Sequence, residues 1–111
     1  MLNVKPQGAV DVVQLSGPLN HECAEELVET IQSGLAEGQP MVVLDMSDVP
    51  LMDSAGLEAL LDIHDAVLLK GGAVKLAALN QLCVDVIRVT GIASRLESYT
   101  DVKLAVGSFV Q

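Results

Sequence analysis

The pentapeptide Asp53-Ser54-Ala55-Gly56-Leu57 follows the strand-like run Met41 to Met46 and opens an amphipathic segment. That setting puts a serine hydroxyl at the start of a helix, where unpartnered backbone N–H groups and the positive end of the dipole favour an anion. Two uses fit: Ser54 caps the helix, or the turn holds an anionic group such as a phosphate. Ala55 is small and Gly56 has no side chain, so the hydroxyl is expected to be uncovered and open to another protein's backbone.

Glu58, Asp62 and Asp65 follow Ser54 at spacings of 4, 4 and 3, which predicts three carboxylates on one outer face of the helix. No base precedes Lys70 within it. The row reads either as a solvated face or as a ridge that meets a basic partner surface, with charge setting association rate and specificity more than affinity. Asp45, at the end of the preceding strand, is expected to make a structural hydrogen bond or to orient Ser54. His64 falls on the inward stripe of the helix and is expected to be a packed or boundary residue, whereas His21 is expected to be exposed in a first turn. Cys23 and Cys83 lack the Cys or His spacing of a metal site and read as core packing. There is no Gly-rich phosphate loop, no supported Ser-His-Asp arrangement and no metal-ligand cluster, so catalysis by this chain alone is not expected, nor is a cofactor.

The elements around the pentapeptide alternate. A strand is predicted from Ala9 to Ser16, ending in the turn signal Ser16-Gly17-Pro18, with a short strand near Leu2 to Lys5 beside it. Asn20 caps a helix with Ala24, Leu27, Val28, Ile31 and Leu35 inward, stopping near Gly38-Gln39-Pro40. Met41 to Met46 is a strand covered on both faces, and Ser47 to Pro50 connects it onward. The next helix spans Ala55 to Lys70 with Leu57, Leu60, Leu61, His64, Val67 and Leu68 on one stripe, and Gly71-Gly72 stops it. Ala73 to Ala78 is a strand. Asn80 caps a third helix with Leu82, Cys83, Val86 and Val89 inward, ending at Thr90-Gly91. Leu96 to Tyr99 forms a last short strand, and Thr100 caps a closing helix whose Val102, Ala105, Val106 and Phe109 pack on the sheet. This is an α/β domain with a mixed, mainly parallel sheet of about four or five strands and about four helices.

Composition removes several functions. The 111 residues make a single domain, residues 1–111. Fifteen acids against six bases give a net charge of −9, which argues against direct nucleic-acid binding, and Tyr99 and Phe109 are too few for a stacking platform. No apolar run approaches the roughly 20 residues needed to span a bilayer, and the first residues lack a secretory pattern, so a cytoplasmic location is expected.

The run Leu15-Ser16-Gly17-Pro18-Leu19-Asn20, then a helix, a strand and Leu44-Asp45-Met46-Ser47-Asp48-Val49-Pro50-Leu51-Met52-Asp53-Ser54-Ala55-Gly56-Leu57, resembles a STAS domain of the bacterial anti-sigma-factor antagonist family. The resemblance extends through Gly71-Gly72 and Thr90-Gly91-Ile92. It implies that Ser54 is phosphorylated by a partner anti-sigma factor that is itself a serine kinase, that a phosphoserine phosphatase reverses this, and that transcription is regulated through a sigma factor. Asn20, Asp53, Ser54, Ala55, Gly56, Glu58 and Asp62 are the implied partner-binding residues. A weak homodimer is compatible with it. Many relatives carry an acid in the loop before the first helix; here Asn20 keeps the capping role without the charge, and Pro18 stands where Glu is usual. The alternative is a regulatory or scaffold subunit of a lipid-transport ABC system, a stress-sensing assembly or a receptor-linked module. A small-ligand sensor is the third use, with no aromatic or basic pocket residues to support it.

Overall fold

The computed structural model describes residues 2–34 and 39–110. Strand β1 (Leu2–Gln7) turns back on β2 (Val10–Ser16) as an antiparallel hairpin, pairing Leu2 with Leu15 and Gln7 with Val10. Every later strand is parallel to its neighbour: β3 (Met41–Asp48) to β2, β4 (Ala73–Ala77) to β3, and the two-residue β5 (Ser98–Tyr99) to β4. The five strands therefore lie across the sheet in chain order. Helices α1 (His21–Gly34), α2 (Ser54–Leu69) and α3 (Gln81–Val89) make the parallel connections or lead into them, and α4 (Val102–Gly107) follows β5.

Strand alternation divides the core into two layers. Val13, Leu15, Val42, Leu44, Met46, Val74 and Leu76 meet the buried faces of α1, α2 and α3, in the larger cluster. Val10, Val12, Val43 and Ala77 point the other way, toward Ala105 of α4, with Val102, Val106 and Phe109 packed at the margin as expected. Lys75 also faces this smaller layer. Its ammonium donates to Ser108 Oγ at 2.7 Å and lies 4.3 Å from the Phe109 ring centre and 5.6 Å from that of Tyr99, the chain's two aromatic residues.

Helix boundaries follow the sequence more closely than helix faces do. Leu27 and Ile31 of α1 are buried, while Leu35 and the expected stop at Gly38 lie outside the described residues. The buried side of α2 is Gly56, Ala59, Leu60, Ile63 and Val67; Leu68 is 56% exposed, so the stripe is rotated from the expected one and includes Ile63. In α3 only Cys83 and Ile87 are buried, and Leu82 and Val89 are exposed at 55% and 81%, contrary to the expected inward set. Both misplacements have one cause: each helix is apolar around most of its circumference, so the sheet and not the pattern selects the buried side. The closing helix is capped by Asp101, whose carboxylate accepts the Leu104 N–H at 2.7 Å, not by Thr100. Helix α2 ends as expected, with Gly71 at φ 78° and the Gly72 N–H donating to the Val67 carbonyl.

Candidate functional site

The phosphoacceptor candidate sits where the β2–α1 and β3–α2 connections run side by side. Beyond the last strand pair the two loops continue to exchange backbone hydrogen bonds: Gly17 N–H to Asp48 O, Leu19 N–H to Leu51 O at 3.0 Å, and Asp53 N–H to Leu19 O at 3.2 Å. Leu19 and Met52 form an isolated parallel bridge and are both buried. A third connection holds the other flank. Asn80, the N-cap of α3, accepts the Cys83 N–H at 2.8 Å, and its amide donates to the carbonyls of Val49 and Pro50 at 3.3 and 3.0 Å. The β3–α2 loop is thus fixed by backbone on one side and by a side chain on the other.

Asp53, not Ser54, caps α2. Its backbone is extended, its carboxylate accepts the Gly56 N–H at 3.0 Å, and its carbonyl accepts the Leu57 N–H. Ser54 is the first helical residue, exposed, with a hydroxyl that meets no hydrogen-bonding partner among the described residues. A capping role for Ser54 is therefore excluded, because Asp53 already supplies the oxygen the first turn needs. Asp45 does not reach Ser54; its carboxylate accepts the Ser47 N–H, two residues on.

Gly56 has a different purpose from the one its sequence context suggests. It is buried, and a β-carbon there would overlap the Leu19 carbonyl oxygen and lie 2.9 Å from Leu19 Cγ. Within this chain the backbone that approaches Gly56 closely is that of Leu19. Asn20, Asp53, Ser54 and Glu58 are exposed around it, and Asn20 accepts the Cys23 N–H at 3.1 Å as the α1 cap.

The three-acid row divides. Glu58 and Asp62 turn toward α1, where they border an open groove of about 330 Å³ together with Glu25 and Glu29. Asp65 turns away and accepts a hydrogen bond from Arg95 at 2.7 Å, a base that lies outside the helix. The exposed His21 places Nε2 3.2 Å from Glu25, while His64 is half-buried with Nδ1 unpartnered. Cys23 and Cys83 are buried free thiols, and burial pushes both above the ordinary thiol value. Among the described residues no group of three or more acids, histidines or cysteines is placed to hold a metal ion, and no helix is long and apolar enough to cross a membrane.

Sequence reasoning missed the two anchors of the site, the Leu19 backbone and the Asn80 amide. Leu19-Asn20-His21-Glu22-Cys23 and Leu79-Asn80-Gln81-Leu82-Cys83 share one Leu-Asn-x-x-Cys pattern that marks two capped helix starts, but the pattern carries no sign that both flank the β3–α2 loop.

Solved structures share this architecture. An anti-sigma factor antagonist from Mycobacterium paratuberculosis superposes with a TM-score of 0.88 at 23% identity, covering 100% of this chain and 94% of its own. The Bacillus cell fate determinant SpoIIAA in the phosphorylated form gives 0.70 at 17%, covering 98% and 99%. A sulfate transporter family protein from Wolinella succinogenes gives 0.82 at 17%, covering 92% and 85%. The comparison with curated proteins finds no match. The sequence model of the STAS domain matches residues 1–105, and the chain belongs to the STAS domain family.

Proposed function

We propose that the chain is an anti-sigma-factor antagonist: a phosphorylatable protein–protein switch that binds an anti-sigma serine kinase while Ser54 is unmodified and leaves it once Ser54 carries a phosphate. The observation that carries this reading is the state of the Ser54 hydroxyl, exposed and unengaged at the first position of α2 while Asp53 does the capping. In a capping serine, modification would alter the helix start itself; this hydroxyl takes no part in the cap. The N–H groups of the first turn favour the added anion, whereas Asp53 and the outward Glu58 repel it. The net effect is a change of surface charge at an undisturbed fold, which a partner feels more than the domain does. Fold similarity to SpoIIAA, whose phosphorylated form is known, supports the same reading. A kinase and a phosphoserine phosphatase are then the partners, Asn20, Asp53, Ala55, Glu58 and Asp62 surround the contact, and the chain itself catalyses nothing.

A second reading is a regulatory subunit of another assembly, favoured by the fold shared with a sulfate transporter family protein. One experiment separates the two. The protein and its Ser54→Ala variant are incubated with ATP and a lysate of the native host, and phosphosites are mapped. Incorporation confined to Ser54 supports the switch. Its absence beside demonstrably active kinases favours the regulatory subunit.

A further inference from the structure

The geometry points to the groove between α1 and α2 as a docking surface for a basic amphipathic helix of a partner protein, an inference that does not rest on Ser54 being a phosphorylation site. Its floor is made by pairs of small residues one helical turn apart: Ala24 and Val28 on α1, Ala55 and Ala59 on α2, all buried or half-buried. Its borders are pairs of exposed carboxylates at the same spacing, Glu25 and Glu29 on one side, Glu58 and Asp62 on the other. Like charges at that spacing repel within each helix and again across the groove.

Among the described residues no Lys or Arg pairs with these four acids, and Glu25 alone is reached by a base, His21 Nε2 at 3.2 Å. Arg95 is taken by Asp65, Arg88 by Asp85, and Lys75 is held on the opposite face of the sheet. Among the described residues His21 is the only basic side chain in the groove. A complement to Glu29, Glu58 and Asp62 therefore comes from a cationic partner surface. A helix suits the shape: the α1 side of the groove runs from Ala24 to Gln32, about 12 Å at 1.5 Å per residue, which takes two to three turns of a partner helix. An apolar stripe flanked on both sides by Lys or Arg would lie on the small residues with its charges on the two borders.

The test uses the whole chain, isotope-labelled and unphosphorylated, with a designed helical peptide of Ala, Leu and Lys whose lysines flank one apolar stripe. A scrambled peptide of equal charge is the control. Amide shifts are expected at residues 24–32 and 55–62, with binding that weakens as salt rises. Val28→Trp, which fills the groove at unchanged charge, and the Glu29→Lys, Asp62→Lys double variant are each expected to weaken binding about tenfold or more. Should Val28→Trp fail to fold by thermal melt, Gln32→Trp at the exposed end replaces it. Equal binding of the scrambled peptide, an unchanged affinity in the filled-groove variant, or shifts elsewhere overturns the proposal. Ser54→Ala is expected to bind the peptide as the native chain does, so loss of the switch and loss of docking are read separately.

Discussion

The carbonyl oxygen of Leu19 accepts the Asp53 N–H at 3.2 Å and fills the space that a side chain on Gly56 would need. One oxygen thus fixes both the residue before Ser54 and the first turn after it. Gly56→Ala is expected to destabilise the fold by about 2–3 kcal/mol, since the overlap is with backbone that cannot rotate away. Gly107→Ala, where a β-carbon meets nothing within 4 Å, is expected to be neutral or mildly stabilising. Urea midpoints of the two variants check the contrast.

Capping by Asp53 separates it energetically from its neighbour. Asp53→Ala is expected to cost about 1 kcal/mol by loss of the bond to the Gly56 N–H, and Ser54→Ala only a few tenths. Equal losses in thermal unfolding would return the capping role to Ser54.

Asn80 does more than Asn20. Both accept an N–H three residues ahead, but Asn80 also donates to the Val49 and Pro50 carbonyls. Asn20→Ala is expected to cost about 1 kcal/mol, and Asn80→Ala about 2 kcal/mol, with faster amide exchange in residues 47–53 for the second variant alone. Asn80→Asp, which keeps the cap and removes the donor, is expected to fall between them.

The two buried thiols give stability an alkaline limit. Burial raises both above the ordinary thiol value, so the native state keeps protons that the unfolded chain releases. Their contribution is complete below that value and is lost as pH rises beyond it. Unfolding free energies measured across this range should decline on the alkaline side, less steeply in a Cys83→Ala background.

Much of this was legible because strands and caps are written locally. The β-branched run Val10 to Leu15, the caps Asn20 and Asn80 and the stop at Gly71 each depend on neighbours within a few residues. The faces of α2 and α3 were not, since Leu68, Leu82 and Val89 are as apolar as the residues that are buried. The site shows the same division. Ser54 could be placed at a helix start from its own flanks, but Leu19 lies 34 positions before Asp53 and Asn80 lies 30 after Pro50, so neither bond has a local signature. Asp65 was grouped with Glu58 and Asp62 because its counter-ion, Arg95, belongs to a distant segment.

Held on one flank by the Leu19 backbone and on the other by Asn80, the Ser54 loop is preorganised. A protein that engages it loses little binding energy to ordering a flexible segment. Recognition then follows the folded shape and not the local peptide sequence, and a short peptide copied from residues 48–60 would be a poor mimic of the intact surface.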